Sequence, residues 1–178
     1  LLDTAATLLD VAHYVRDIDV PLAYGGYVFN AVPELTRRIP GYFLGEALDK
    51  VPFVIERLIQ SPPPAHDYEP VSEVYREAWA YFRERSGIIE MEVWQNFGAT
   101  SNGFSGGNDV THFDPNILSA LKLGDLHYIG SNLIWIEGML LNHNLSSQVL
   151  CHFLKTYHEA ALRHLDRPPG QLIIQWLA

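Results

Sequence analysis

The sequence predicts a predominantly helical protein in which a short parallel α/β segment, the end of a larger sheet, is followed by an all-α helical bundle. Three observations carry that expectation. Two brief apolar runs, Leu22-Ala23-Tyr24 and Tyr42-Phe43-Leu44, each stop at a glycine and alternate with helical spacing. Consecutive prolines, Pro62-Pro63-Pro64, interrupt the chain, and prolines in series hold an extended spacer that no helix can cross. Beyond them the apolar residues recur almost throughout at helical intervals. The expected organisation is an α/β part over residues 1–60, a linker over 61–66 and a helical domain over 67–178.

The elements follow in order. Leu1, Ala5, Leu8, Leu9, Ala12 and Val15 share one face of a helix that the spacing extends to Val20. The strand Leu22-Ala23-Tyr24 then enters the turn Gly25-Gly26. A short helix is expected from about Val32 to Ile39, with Asn30 and Pro33 marking its start and Pro40-Gly41 its end. After the second apolar run and Gly45, residues Glu46 to Gln60 place Leu48, Val51, Ile55, Leu58 and Ile59 on one helical face. Two strands this short do not make a stable sheet alone. Together with the non-methionine first residue, this leads us to expect sheet partners upstream of Leu1.

In the second region, Glu69 to Phe97 reads as helix, with Val71, Val74, Tyr75, Ala78, Trp79 and Phe82 on one face and a possible break at Ser86-Gly87. Residues 99–108 are rich in Gly, Ser and Asn and read as a flexible loop. Asp114-Pro115 has the form of an N-cap and a first-turn proline. Helix is expected from Asn116 to Leu141 with an irregularity at Gly124 or Gly130, then a turn at Asn142-His143-Asn144. A helix capped by Ser146 should run to Leu165, where Pro168-Pro169-Gly170 stops it ahead of a short apolar terminal segment, Leu172 to Leu177.

Composition narrows the function. The chain of 178 residues is 48% hydrophobic and 19% charged, an ordinary globular balance able to bury roughly two-thirds of its unfolded surface. A net charge of −9 with scattered acidic residues argues against direct nucleic-acid binding by this segment. No run reaches the ~18 apolar residues of a membrane span, and no leader-like segment is present, so a cytoplasmic location without membrane contact is expected. The single cysteine, Cys151, beside Leu150 and Phe153, reads as a buried structural thiol.

The turn Tyr24-Gly25-Gly26-Tyr27 carries the sharpest functional signal. Paired glycines remove the side chains that keep a ligand from the backbone and permit positive backbone angles; strand ends are also where open α/β sheets bind ligands. The plain alternative is a tight turn without a ligand. Taken with Pro33-Glu34-Leu35 and Pro40-Gly41-Tyr42-Phe43-Leu44-Gly45-Glu46, the stretch resembles the last third of a Rossmann-like cobalamin-binding domain, as found behind MerR-type DNA-binding domains in light-responsive regulators. The resemblance covers about Leu1 to Gln60. It implies cofactor contacts at Tyr24, Gly25, Gly26, Tyr27, Phe29, Leu44 and Gly45, beside the nucleotide tail of the cobalamin. The Asp-x-His-x-x-Gly loop of that family is absent, so the resemblance implies the C-terminal piece of such a domain. The segments Ala120 to Asp125 and Trp135 to Gly138 are vaguely similar to the helical caps over cobalamin. Those caps precede the Rossmann-like domain and contain a Glu-His pair that is missing here, so no cap residue is carried over.

Other chemistry weighs less. His112, His127, His143, His152, His158 and His164 fall late in the chain. The last three recur every six residues, about 240° apart on a helix, which is unsuited to shared metal ligation. Asp109, His112 and Asp114 could form an acid/base group beside the glycine-rich loop; the alternative is Asp114 capping a helix. The aromatics Tyr68, Tyr75, Trp79, Phe82, Trp94, Phe97, Phe104, Phe113, Trp135 and Tyr157 either fill a helical core or line a slot for a flat tetrapyrrole. In the second case His112, His127, His143, Arg83 and Arg85 would meet its polar groups. No nucleophile motif, phosphate loop or dinucleotide fingerprint appears. The expected function is non-catalytic binding of a tetrapyrrole, cobalamin first, in a sensory or regulatory protein that forms a homo-oligomer. The alternatives are a cofactor-free dimerisation module and, more weakly, a bilin-binding photosensory region.

Overall fold

Leu2, Ala5, Ala6, Leu9 and Ala12 recur at helical spacing and form the buried stripe of the first helix, α1 (Leu2–Asp17). In the computed structural model, residues 2–61, 63, 68–100, 113–130, 133–134, 138 and 147–178 are described, apart from the side chains of 98–100 and 147. Helix α1 ends three residues earlier than its apolar spacing predicts. Asp19 turns left-handed (φ 56°), and the Val20 and Asp19 amides donate to the Val15 and Arg16 carbonyls at 2.8 and 3.0 Å, so the helix closes on its own orphan carbonyls.

Strands β1 (Ala23–Tyr24) and β2 (Tyr42–Phe43) pair in parallel, Ala23 opposite Tyr42 and Tyr24 opposite Phe43. The ladder continues at both ends, where the Tyr42 amide donates to the Leu22 carbonyl and the Leu44 amide to Tyr24, both at 2.8 Å. Between the strands the expected single helix is replaced by two pieces. Helix α2 (Tyr27–Ala31) starts directly after Gly26, and a 3-10 turn spans Pro33–Arg37. Val32, at φ −136°, separates them, because the residue before a proline is driven out of helical angles. Likewise, the helix expected from Glu46 begins as a 3-10 turn (Leu48–Lys50) before α3 (Val51–Gln60).

The apolar face expected on α3 is only half covered, at Val51, Val54 and Leu58. No residue of α3 is buried, and Leu48, Phe53 and Ile59 are 87%, 70% and 78% exposed. Residues just beyond the linker fold with this part of the chain. The Glu69 amide donates to the Arg37 carbonyl at 2.7 Å, and the Arg16 guanidinium lies over the Tyr68 ring, 5.0 Å from its centre.

The chain divides into two compact units, Leu1–Val71 and Ser72–Ala178. The second unit is a helical bundle: α4 (Glu73–Thr100), α5 (Phe113–Leu123), a 3-10 turn (Leu126–Ile129), α6 (Ser147–His164), another 3-10 turn (Pro168–Gly170) and α7 (Gln171–Leu177). Helix α4 packs against α5 and α6, and α6 packs against α7. Their shared core contains Phe82, Ile89, Val93, Phe97, Ile117, Leu121, Phe153, Tyr157, Ala160 and Ile173. Helix α4 runs through Ser86-Gly87 without the expected break. A helical glycine costs about 1 kcal/mol, and Phe82 and Ile89, fully buried on either side, each contribute more than that.

Gly124 ends α5 at φ 86°, with the Asp125 and Gly124 amides both closing onto the Ala120 carbonyl. Cys151 is exposed rather than buried. The inward face of α6 is set by Phe153, Thr156, Tyr157, Ala160 and Ala161, and a position two residues before Phe153 points away from it. Of the expected loop at 99–108, Ala99 and Thr100 belong to α4 and the remainder lies outside the described residues, as do Ser146 and the turn at 142–144. The chain is predominantly helical, with one small parallel two-stranded sheet among the described residues. Among the described residues, no helix is long and apolar enough to cross a membrane.

Candidate functional site

The C-terminal end of β1 opens into a groove of about 390 Å3, lined by Thr4, Ala5 and Leu8 of α1 and by residues 23–29. It therefore takes in five of the seven residues predicted to touch a cofactor: Tyr24, Gly25, Gly26, Tyr27 and Phe29. Their roles differ. Tyr24 is 5% exposed, and its hydroxyl donates to the carbonyls of Thr36 at 3.0 Å and Ile39 at 3.2 Å. Burial pushes that phenol up to about 12, so it stays a neutral donor. Phe29 is 2% exposed and lies against Tyr24 and Phe43, with ring centres 4.9 and 5.9 Å away. These three aromatic rings make the floor rigid. Tyr27, 71% exposed, stands on the rim.

The two glycines of the turn are glycines for different reasons. Gly26 has φ 130°, a conformation essentially closed to other residues. Gly25 has no such angle. A Cβ there would lie 3.9 Å from the Leu44 Cβ, an ordinary contact, so nothing inside the fold requires Gly25 to lack a side chain. Leu44 thus adjoins the turn without lining the groove, and Gly45, at φ 90°, turns the chain away from β2.

A second arrangement lies in the helical unit, and sequence reasoning saw only half of it. Asp114 is not an N-cap. It sits within the first turn of α5, is 6% exposed, and its Oδ1 accepts a hydrogen bond from the Tyr157 hydroxyl of α6. Its Oδ2 is buried without a hydrogen-bond partner. A cavity of about 10 Å3, the space of about one water molecule, is lined there by Glu90, Val93, Trp94, Phe113, Asp114, Phe153 and Tyr157.

Burial raises the Asp114 carboxyl to about 7; the Tyr157 hydrogen bond opposes the rise and the Glu90 charge adds to it. The start of a helix favours a carboxylate by about 0.3–1 kcal/mol, whereas a rise of this size corresponds to about 4 kcal/mol. Burial therefore wins. Tyr157 is pushed well above its ordinary value, first by burial and then by Asp114. Asp109 and His112, grouped with Asp114 on sequence, lie outside the described residues.

The aromatic series resolves largely into core. Phe97, Phe113, Phe153 and Tyr157 form a chain of edge-on and tilted rings with centres 4.7–6.0 Å apart. Tyr68 belongs to the first unit, near His13, and Phe104 and Trp135 lie outside the described residues. The arginines offered to a propionate are engaged with aromatic faces: Arg83 lies over Trp79 and Arg85 over Tyr81, 4.4 and 4.0 Å from the ring centres.

The three histidines of α6 meet three separate surroundings. His152 stacks on Phe97, His158 has a buried Nε2 without a partner, and His164 pairs with Glu92 at 2.6 Å. Glu92 also binds Arg163, and the hydrogen bond from His164 leads in holding its carboxyl below the usual range. His127 is exposed and pairs with Asp125 at 2.8 Å, while His112 and His143 lie outside the described residues. Among the described residues, no group of three His, Cys, Asp or Glu is placed to hold a metal ion. No family model, curated protein or solved structure matches the chain.

Proposed function

We propose that the first unit seats the tail of a tetrapyrrole, most specifically a cobalamin, as part of a non-catalytic sensory or regulatory protein. One observation carries the reading: Gly25, a residue that the fold does not require to be glycine, presents bare backbone on a groove at the carboxyl end of a parallel strand. Such strand ends are the usual ligand position in α/β sheets, and about 390 Å3 falls within the ordinary range for ligand pockets. The exposed Tyr27 ring on the rim offers aromatic surface to a ligand, and the buried Tyr24 and Phe29 hold the floor beneath it. A cytoplasmic location and a homo-oligomeric assembly are proposals that accompany this reading.

The test is co-elution and absorbance of the purified protein after incubation with cobalamins. Binding should shift the spectrum from that of the free cofactor, and Gly25→Leu should weaken it roughly ten-fold, about 1.4 kcal/mol. A free-cofactor spectrum with no co-elution would sink the proposal. A second reading, cofactor-free self-association, draws on the exposed Leu48 just ahead of α3 and Phe53 and Ile59 along it. A colourless oligomer that Phe53→Glu dissociates would favour it.

A further inference from the structure

We propose that Asp114 is a proton-binding site that couples the hold of α5 on α4 and α6 to pH, stabilising the second unit while protonated and weakening it when ionised. The geometry is that of a carboxyl built to keep its proton. It is 6% exposed, one oxygen is engaged by Tyr157, and the other is buried without a hydrogen-bond partner. A carboxylate so placed bears the full cost of an unpaired buried charge, whereas the neutral acid bears only that of a polar group. A proton on Oδ2 also makes that oxygen a donor in the small cavity that Glu90 helps to line.

The surroundings of Asp114, among the described residues, offer it no cation. From α4 the titratable neighbour is Glu90, whose charge opposes ionisation of Asp114. Glu92 on the same helix is occupied by Arg163 and His164. From α6 it is Tyr157, a neutral donor held far above neutrality by burial. Its neighbour His158 does not line the cavity. Helix α7 brings Trp176, stacked near Phe113 at 6.3 Å, and has no titratable side chain. On α5 itself Lys122 lies two turns away, and beyond it Asp125 pairs with His127. A carboxyl raised to about 7 places the change in the neutral range, which a surface carboxylate would never reach.

The sign follows from proton binding. The native state binds a proton that the unfolded chain has already released above its ordinary carboxyl range, so stability is greatest at low pH and falls as pH rises towards 7. For this one group, the unfolding equilibrium constant should rise roughly ten-fold per pH unit between about 4 and 7, then level off.

The experiment compares denaturant unfolding of the intact protein and of Asp114→Asn from pH 4 to 9, followed by tryptophan fluorescence. Asparagine keeps an acceptor for Tyr157 and cannot ionise. The variant should gain on the parent steadily up to about pH 7, and Glu90→Gln should move the levelling point to lower pH. A difference between parent and Asp114→Asn that does not change with pH would overturn the proposal. Should Asp114→Asn fail to fold, carbon-13 titration of the Asp114 carboxyl in the parent decides the matter. A midpoint near neutrality sustains the proposal, and one near the ordinary carboxylate value of about 4 refutes it.

Discussion

The two units bury their largest apolar residues to different extents. In the helical unit Phe82, Phe97, Ile117, Leu121 and Tyr157 are almost wholly inside, and the cavity at Asp114 holds about a single water. In the first unit Leu2, Phe29, Leu35 and Ile39 are buried as well, but many comparable residues stay outside: Tyr14, Tyr27, Leu48, Phe53 and Ile59 are each more than two-thirds exposed. Beside its small core it relies on backbone geometry, through a four-residue parallel ladder and turns with positive φ at Asp19, Gly26, Gly41 and Gly45. A region built on burial tolerates little change in volume. A region built on turns depends on a few positions where only one residue type fits, and it leaves surface and grooves open.

Substitutions can break that contrast or sharpen it. The largest effect is expected from Phe82→Ala, which empties part of the helical core and should cost about 3–5 kcal/mol in chemical denaturation monitored by tryptophan fluorescence. The same variant should leave the cobalamin binding proposed for the first unit unchanged. Gly41→Ala comes next. At φ 139° a Cβ would stand 2.7 Å from the Leu22 carbonyl oxygen, so the first unit should lose about 2–3 kcal/mol, read by hydrogen exchange of the Tyr42 and Leu44 amides. Gly25→Ala is the matched control and should leave those amides nearly as protected.

Tyr24→Phe removes the donor shared by the Thr36 and Ile39 carbonyls. A loss of about 1 kcal/mol is expected, measured by thermal unfolding. Smallest is Leu48→Ser: the side chain is 87% exposed, and the change should stay within about 0.5 kcal/mol. A larger loss would show that the turn leading into α3 is covered in solution, most simply by a second copy, and sedimentation of the same variant would test that cover.

Much of this was legible in the chain itself. The two strands, the glycine turns and each helix of the second unit follow from local spacing and from glycine and proline, whose effects act within a few residues of where they occur. The groove residues Tyr24, Gly25, Gly26, Tyr27 and Phe29 come from the resemblance to a cobalamin-binding domain, with only the paired glycines supplying a local signal. What misled was also local: α3 has a clean apolar stripe, yet a stripe says only that a face exists, not that anything lies against it. Cys151 was misplaced because its two apolar neighbours were weighed without the turn of the helix that sets Phe153 and Tyr157 inward.

The sequence by itself determined that the chain is predominantly helical with two short strands ending at glycine turns, because helical period, proline's missing amide and glycine's freedom are properties of neighbouring residues. Only the tertiary structure decided which faces are inside and which distant side chains meet. Asp114 and Tyr157 are 43 positions apart, and no spacing rule spans such a distance. Their pairing, and the burial that turns an apparent helix cap into a proton-holding acid, come from the packing of α5 against α4 and of α4 against α6. Desolvation is a property of everything that surrounds a group, and it exists only once the chain has folded.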